Sequence, residues 1–483
     1  MRRSEFKLFS LFSGAGGMDL GFAHHGGFSI FFANDIRRAA SETYSLNFKH
    51  PVYDISALDS GPVSLPAFIL GDVDQINFEA VKKDDVDVVV GGPPCQDFSI
   101  VRGPQNERKG IEVKRGRLYA QFVRALIHLQ PKVFVFENVP GLKSANKGAA
   151  YKTILDDFSK LNLRWSDIAK LVGNSYSKAL KNYTAIFSDI VDSADIGVPQ
   201  KRRRLIIIGV REDLIPKSLG AMSTIKERVE ALLLGKESLF RKYPLTSLEV
   251  FEGLPLPELN QEYAQVMKDY KEIVTYVGTQ AASDWKKQVW DKLSFDCIKD
   301  YLMINNVRPK TKSELNEAFE EHTAVLKALG FYKNRLEERK FADSSDALAE
   351  ESKSVTERLS MIPPDENHEF VRGTQWEVEG KGMSLIYRRL HPLKPSNTVV
   401  AFGGGGTWGY HYSRSRGRLT NRERARLQSF PDSFFFKGSC AEVRAQIGEA
   451  VPPLLGKKIA EAVEMILNSI CDGVIKCQQV AYS

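Results

Sequence analysis

Through residues 1–210, short apolar runs alternate with longer segments whose apolar residues recur at helical spacing. Lys7–Phe12, Phe28–Ala33, Val86–Val90, Val133–Phe136 and Leu205–Val210 are such runs, closed by Gly, Asp or Pro signals. Runs of this length suit strands buried on both faces, as in a parallel sheet with helical crossovers. Leu118–Leu129 reads as a helix with Pro131 just beyond it, and the charged stretch from Asn146 to Tyr183 reads as extra helical material. From Glu212 to Met383 the alternation is lost and charge density rises. One helix is well marked there. Thr311 and Glu314 form a capping box, Leu315, Phe319, Leu326 and Leu329 share a face, and Gly330 stops it. Compact signals then return: a strand at Asn397–Phe402, a glycine run at Gly403–Gly406, and helices at Asn421–Ser429 and Pro453–Leu467. The pattern predicts a large α/β domain, an insert and a closing segment, with no internal repeat.

Composition narrows the class. With 483 residues the chain exceeds one ordinary core. It is 43% hydrophobic and 26% charged, values of a globular protein. The net charge of +7 is modest, so local clusters say more: Lys201-Arg202-Arg203-Arg204, and six arginines between Arg414 and Arg426. Five scattered cysteines form neither a disulfide framework nor a zinc spacing, so a reducing cytoplasm and no metal are expected. The start, Met1-Arg2-Arg3 and then apolar, imitates a signal peptide, but serines and glycines interrupt it. No run approaches the ~20 apolar residues of a membrane span.

Candidate chemistry gathers at the ends of the expected strands. Ser13-Gly14-Ala15-Gly16-Gly17 follows the first strand and opens a helix, where free N–H groups can meet a ligand. Asp35 ends the next strand, near the ~20-residue offset at which an acid reaches ribose hydroxyls. Asp72 follows another short apolar stretch and has the chemistry to accept from an adenine amino group. The glycine spacing departs from the dinucleotide fingerprint, which counts against NAD. Cys95 stands after Gly91-Gly92-Pro93-Pro94, a stiffened loop at a strand's carboxyl end, and Gln96, Asp97 and Ser99 follow it. Glu137 ends the strand Val133–Phe136, and Gln200–Arg204 precedes Leu205–Val210. Each has a bland alternative: a glycine turn without a ligand, a buried thiol, a capping carboxylate, a solvated basic turn. Together, at one sheet edge, they define a site.

In this order the blocks resemble the cytosine-5 DNA methyltransferases. The match is collinear over residues 6–210 and 385–467: Leu11–Gly17, Asp35, Gly71-Asp72, Pro93–Gln96, Glu137–Val139, Gln200–Arg204, Arg389–Val400, Leu419–Asp432 and Gln446–Pro453. The resemblance implies a Rossmann-like, mostly parallel sheet domain plus a smaller target-recognition domain. It implies S-adenosylmethionine as donor, with S-adenosylhomocysteine as product. Phe12, Ala15, Gly17, Asp35, Ile36, Asp72, Val73, Pro94, Leu118, Glu449 and Ala450 would hold it. The Cys95 thiolate would add to carbon 6 of a flipped cytosine, Glu137 would bond ring nitrogen 3 and the amino group, and Arg204 would hold the carbonyl oxygen. Arg202 would lie near the thiolate and a phosphate, Gln96, Ser99 and Gln200 would touch DNA, and the Arg414–Arg426 region would support the second lobe and the DNA backbone.

Three features depart from the family pattern. Ser10 stands where Asp is usual, which would loosen the cofactor turn. Glu449 stands where Asn is usual, and the span from Glu137 to Gln200 is long. The implied organisation is a catalytic domain at 1–214, a target-recognition insert at 215–383 and a closing segment at 384–483. The implied setting is a monomer acting on duplex DNA in the cytoplasm, in contact with the nucleoid through that DNA. A cognate restriction endonuclease would act separately, and no membrane is involved. Two other readings stay open: a transfer-RNA cytosine methyltransferase of a related branch, and a DNA-binding regulator on a relict fold. The intact Cys95, Glu137 and Arg204 argue against the regulator, and the Pro-Pro-Cys-Gln loop argues against amino-nitrogen methylation.

Overall fold

In a computed structural model the described residues are 5–58, 63–78, 86–94, 117–172, 180–215, 219–378, 386–402 and 409–481. Cys95, Gln96, Ser99 and the run Gly403–Gly406 therefore lie outside them. Two compact units emerge. The first comprises residues 1–192, 203–237 and 453–483; the second comprises 193–202 and 238–452.

The first unit is built on a sheet. Its elements in chain order are β1 (Phe6–Leu11), α1 (Gly17–His25), β2 (Phe28–Asp35), α2 (Arg38–Phe48), β3 (Val52–Asp54), β4 (Ala67–Leu70), β5 (Val88–Gly91), α3 (Arg117–Leu129), β6 (Val133–Asn138), α4 (Ala149–Ser159), α5 (Leu161–Val172), β7 (Tyr183–Asp192), β8 (Arg203–Arg211) and α6 (Leu219–Leu233). The strand order is β3-β4-β2-β1-β5-β6-β8-β7. All pairings from β3 to β6 are parallel, while β8 is antiparallel to both β6 and β7. Val88–Val90 and Leu205–Ile208 are wholly buried, as continuous apolar runs in a covered sheet must be. The charged stretch after Asn146 folds as α4 and α5, whose Ile154, Phe158, Leu161 and Ile168 join the core beneath the sheet. The last helix, α11 (Pro453–Ala481), packs on α1 at very close range. A Cβ on Gly21 would stand 2.3 Å from the Gly456 carbonyl carbon, and one on Gly456 would stand 2.6 Å from the Met18 oxygen. Only glycine lets these two backbones meet.

The second unit is helical over its described residues between 238 and 378. It includes α7 (Ser247–Glu252), α8 (Lys312–Ala328), α9 (Asn421–Leu427) and α10 (Cys440–Glu449). Thr311 caps α8 by accepting from the Glu314 N–H at 3.0 Å; the Glu314 carboxylate reaches back to the Lys310 N–H rather than to Thr311 itself. The expected strand at Asn397–Phe402 does not form; Ser396 makes one isolated bridge with Gln200. Side chains supply what a ladder would have supplied, since Gln200 Oε1 accepts the Val399 N–H at 2.7 Å and Arg202 donates to its carbonyl. The Arg414–Arg426 cluster is also not an open basic surface. Arg422, Arg424 and Arg426 are buried, and Arg422 and Arg426 pair with Asp343 and Asp432 at 2.7 and 2.6 Å.

Candidate active site

The register of the sheet brings the candidate side chains of the first unit to one edge. Leu11 pairs with Asn34 and Gly91, and Gly91 pairs with Phe136. The residues that follow these pairs, Phe12, Asp35, Gly92 and Glu137, therefore leave the sheet at the same level. Because β8 runs against β6, Arg204 reaches this edge from the beginning of its strand rather than its end.

Glu137 and Arg204 meet there. Arg204 Nε lies 3.0 Å from Glu137 Oε1, with side chains 14% and 13% exposed. Burial lowers the Arg204 pKa, opposed by the charge and hydrogen bond of Glu137. The guanidinium stays charged. Gly92 makes room for the carboxylate, since a Cβ at that position would stand 2.6 Å from Glu137 Oε2. Asn138 fixes the root of the Cys95 loop: its Nδ2 donates to the Pro93 carbonyl at 3.1 Å, and its Oδ1 accepts from the Val139 N–H at 2.9 Å. Pro94 is exposed, the last described residue before Cys95.

The second cluster surrounds the turn after β1. Phe12, Gly14 and Gly16 all have positive φ, at 54°, 53° and 87°. Gly16 is obligatory twice over, because a Cβ there would also strike the Phe48 and Tyr44 rings of α2. Asp35 holds this turn, accepting from the Gly14 and Arg37 N–H groups at 3.0 Å each. Burial raises the Asp35 pKa against those hydrogen bonds. Next to it, Ile36 is 64% exposed, an uncovered apolar side chain at a strand end. Ala15, Gly17 and Val73 are buried, and Leu118 is half-buried at the start of α3. Asp72 accepts from the Asp74 N–H at 3.2 Å. Arg124 of α3 donates to the carbonyls of Val73 and Ile76 at 2.7 and 2.9 Å and so fixes the turn that carries Asp72.

Ser10 does not loosen the turn. Its hydroxyl donates to Asp19 Oδ1 at 2.8 Å and Tyr44 donates to Oδ2 at 2.7 Å, so an acid on α1 does the bracing. Burial, partly offset by these bonds, pushes the Asp19 pKa up to about 6.

Four candidates belong to the second unit. Gln200 is buried, with Nε2 donating to Gln428 Oε1 at 2.9 Å. Arg202 is also buried, and its guanidinium donates to the carbonyls of Val399 and Gly448 at 3.1 and 2.9 Å. Arg202 is thus engaged with main chain, where a contact with a phosphate was expected. Glu449 is exposed at the end of α10, and Ala450 is half-buried. Reasoning from the sequence missed Asn138, Arg124 and Gln428. Arg124 left a signal, a charged residue midway along the mostly apolar run Leu118–Leu129, while Asn138 and Gln428 lay inside matched blocks with no role assigned to them.

The fold is Rossmann-like, a mostly parallel α/β sheet. A solved prophage-encoded protein from E. coli shares the fold, with a TM-score of 0.52 and 22% identity, over 96% of this chain and 100% of its own. The sequence profile of the C-5 cytosine-specific DNA methylases matches residues 6–465. The DNA (cytosine-5-)-methyltransferase M.ApeKI of Aeropyrum pernix is 53% identical over 97% of this chain and 100% of its own. The type II methyltransferase M.NgoFVII of Neisseria gonorrhoeae is 32% identical over 97% and 88%. The chain belongs to the C-5 cytosine-specific DNA methylases and is a DNA (cytosine-5-)-methyltransferase. Among the described residues no helix is long and apolar enough to cross a membrane.

Proposed function

We propose that the protein methylates carbon 5 of a cytosine flipped out of a specific duplex sequence, through a covalent adduct with Cys95. The observation that carries this reading is the Glu137–Arg204 pair at 3.0 Å, rooted on neighbouring strands beside Gly92 and Pro93. A carboxyl and a guanidinium held side by side match the amino–nitrogen 3 edge and the carbonyl of one cytosine. Carbon 5 is a poor nucleophile. Addition of the Cys95 thiolate to carbon 6 turns the ring into an enamine, while Glu137 hydrogen-bonds nitrogen 3 and Arg204 stabilises charge gathering on the carbonyl oxygen. Carbon 5 would then take the donor's methyl group, with S-adenosylhomocysteine leaving, and a base, a role open to water, would remove the carbon 5 proton as the carbon–sulfur bond breaks and returns the thiolate.

The turn after β1 fits a nucleoside-bearing donor: an acid braced by backbone N–H groups, an uncovered Ile36 beside it, and a positive-φ turn leading into the N-terminus of α1. S-adenosylmethionine, when bound, supplies an electrophilic methyl group. Asp35 would take the ribose hydroxyls, Asp72 the adenine amino group, Phe12, Ile36, Val73 and Leu118 the base and pocket walls, and Ala15, Gly17 and Pro94 the amino-acid end. Residues 215–383 would read the DNA sequence, with Gln96 and Ser99 near the flipped base; Gln200, expected there too, is instead buried and bonded to Gln428 and Val399. The type II relatives support a role in protecting DNA from a separately acting endonuclease.

The test is methyl transfer from labelled S-adenosylmethionine to duplex DNA, followed by bisulfite sequencing of the product. Wild type should mark one cytosine in one sequence, and Cys95→Ala should mark none. Label found only on transfer RNA would overturn the reading.

A further inference from the structure

Asp72 stands on a turn that the sheet ladder does not finish. β4 ends at Leu70, and Gly71-Asp72 leads into a single 3-10 turn over Val73–Gln75. One side of this turn is secured by β2. Leu70 pairs with Asp35, and the Gly71 N–H donates to the Asp35 carbonyl at 3.1 Å. Asn34 Nδ2 donates to the carbonyls of Ile69 and Gly71 at 2.8 and 3.0 Å. The turn therefore sits at the carboxyl ends of parallel strands, where α/β folds place ligands.

The other side is secured from α3 by one side chain. Arg124 Nη2 donates to the carbonyls of Val73 and Asp74 at 2.7 and 3.3 Å, and Nη1 to that of Ile76 at 2.9 Å. Gln121, one turn earlier on α3, accepts from Nε at 2.6 Å, and the Phe78 ring centre lies 4.6 Å from the guanidinium carbon. Arg124 is buried, and burial lowers its pKa to about 10, so it stays charged at neutral pH. A buried cation is costly unless it is well bonded, and here the bonds converge on one turn. Asp72 is tied into the same arrangement. Its Oδ1 accepts from the N–H of Asp74, whose carbonyl Arg124 holds. All of these residues belong to the first unit.

We propose that Arg124 is a positioning residue that sets the base selectivity of donor binding: by holding the turn, it keeps the Asp72 carboxylate where it can accept from an amino group on the purine. This rests on the reading of Asp72 as the acceptor of the adenine amino group. An acceptor tells an amino from an oxo substituent only while it is held in place; one free to swing relaxes away from the mismatch.

The experiment titrates the full chain by calorimetry with S-adenosylhomocysteine and with S-inosylhomocysteine, in which an oxo group replaces the adenine amino group. Wild type should bind the first at least about tenfold more tightly, because the oxo group sets an acceptor against the carboxylate. Arg124→Met keeps most of the bulk. It should weaken S-adenosylhomocysteine about tenfold and leave S-inosylhomocysteine within about threefold, so the ratio shrinks to about one. Arg124→Lys should keep part of the ratio, since an ammonium still donates to one or two of the carbonyls. A purely structural Arg124 would instead lower the melting temperature and weaken both ligands alike. A wild-type ratio in the Arg124 variants overturns this inference alone. If Arg124→Met does not fold, the ratio in Arg124→Lys and in Gln121→Met, which removes the acceptor of Nε, decides in the same way. Asp72→Ala separates the two levels and should abolish the ratio as well. A wild-type ratio in Asp72→Ala, or none in wild type, overturns the reading of Asp72 and this inference with it.

Discussion

In the first unit Arg204 keeps a partly accessible guanidinium at the sheet edge against one carboxylate. In the second, Arg389 donates to the carbonyls of Leu359, Ile362 and Ser413, all at 2.6–2.7 Å, and also to that of His411. Arg422 and Arg426 there are clasped by Asp343 and Asp432. The difference follows from the scaffolds. A sheet satisfies its own backbone and leaves polar side chains for its edge. A unit made of short helices and irregular chain, by contrast, leaves many carbonyls without partners, and buried guanidiniums with five donors are well suited to gather them. The motif Gln200–Arg204 spans both uses: Arg202 is a brace and Arg204, two residues on, faces the site. Adjacent positive charges in a sequence thus need not share a role.

If the comparison holds, removing charge should cost activity in one unit and stability in the other. The largest effect is expected for Glu137→Gln, which keeps the shape but removes the acid; kcat for methyl transfer should fall about 10²–10⁴-fold. Its melting temperature should barely move, and a large drop in stability instead would make Glu137 a structural partner of Arg204. Next, Arg422→Met leaves Asp343 buried without its cation and should destabilise the protein by about 3 kcal/mol in denaturant unfolding. A loss below about 1 kcal/mol would remove the scaffold role argued for the cluster.

The smallest effect is a pH dependence. His322 faces the Glu249 carboxylate with Nδ1 at 2.8 Å and the Tyr243 carbonyl with Nε2 at 2.9 Å. A carbonyl only accepts, so Nε2 carries a proton, and a second proton on Nδ1 would face the Glu249 carboxylate. Burial alone would lower the His322 pKa, but the charge and hydrogen bond of Glu249, the Tyr243 carbonyl and the nearby Glu321 outweigh it and raise it. A raised folded pKa stabilises fully below the ordinary value of 6.5 and loses that contribution as pH climbs through the folded value. Stability measured as pH rises above 6.5 should therefore fall more steeply for wild type than for His322→Gln. Parallel curves would show that the histidine is neutral.

Much of the first unit was legible because its central strands are buried on both faces and so write unbroken apolar runs. The edge strand β7 was not, since its ten residues mix buried and half-exposed positions without alternation. β3 has three residues, none buried, and leaves no signal. Asn397–Phe402 looked like a strand for the same reason that real ones do, yet Gln200 and Arg202 supply its partners. Glu137 and Arg204 were individually visible as polar residues at strand termini. Their pairing depends on the reversal of β8, which a run of isoleucines does not encode. The arginines of 414–426 misled because a sequence shows charge but not burial: only the fold reveals Asp343 and Asp432 waiting opposite them.

The central claim, that the sheet edge delivers a thiolate to a cytosine held by Glu137 and Arg204, is tested most directly with duplex DNA carrying 5-fluorocytosine at the target position. In the presence of S-adenosylmethionine the fluorine blocks release, so wild type should form a covalent complex that survives denaturation. Peptide mapping should place the bond on Cys95, and Glu137→Gln should form it far more slowly. Failure of wild type to form any complex on a duplex that it demonstrably methylates when unfluorinated, or a bond to a residue other than Cys95, would contradict the account.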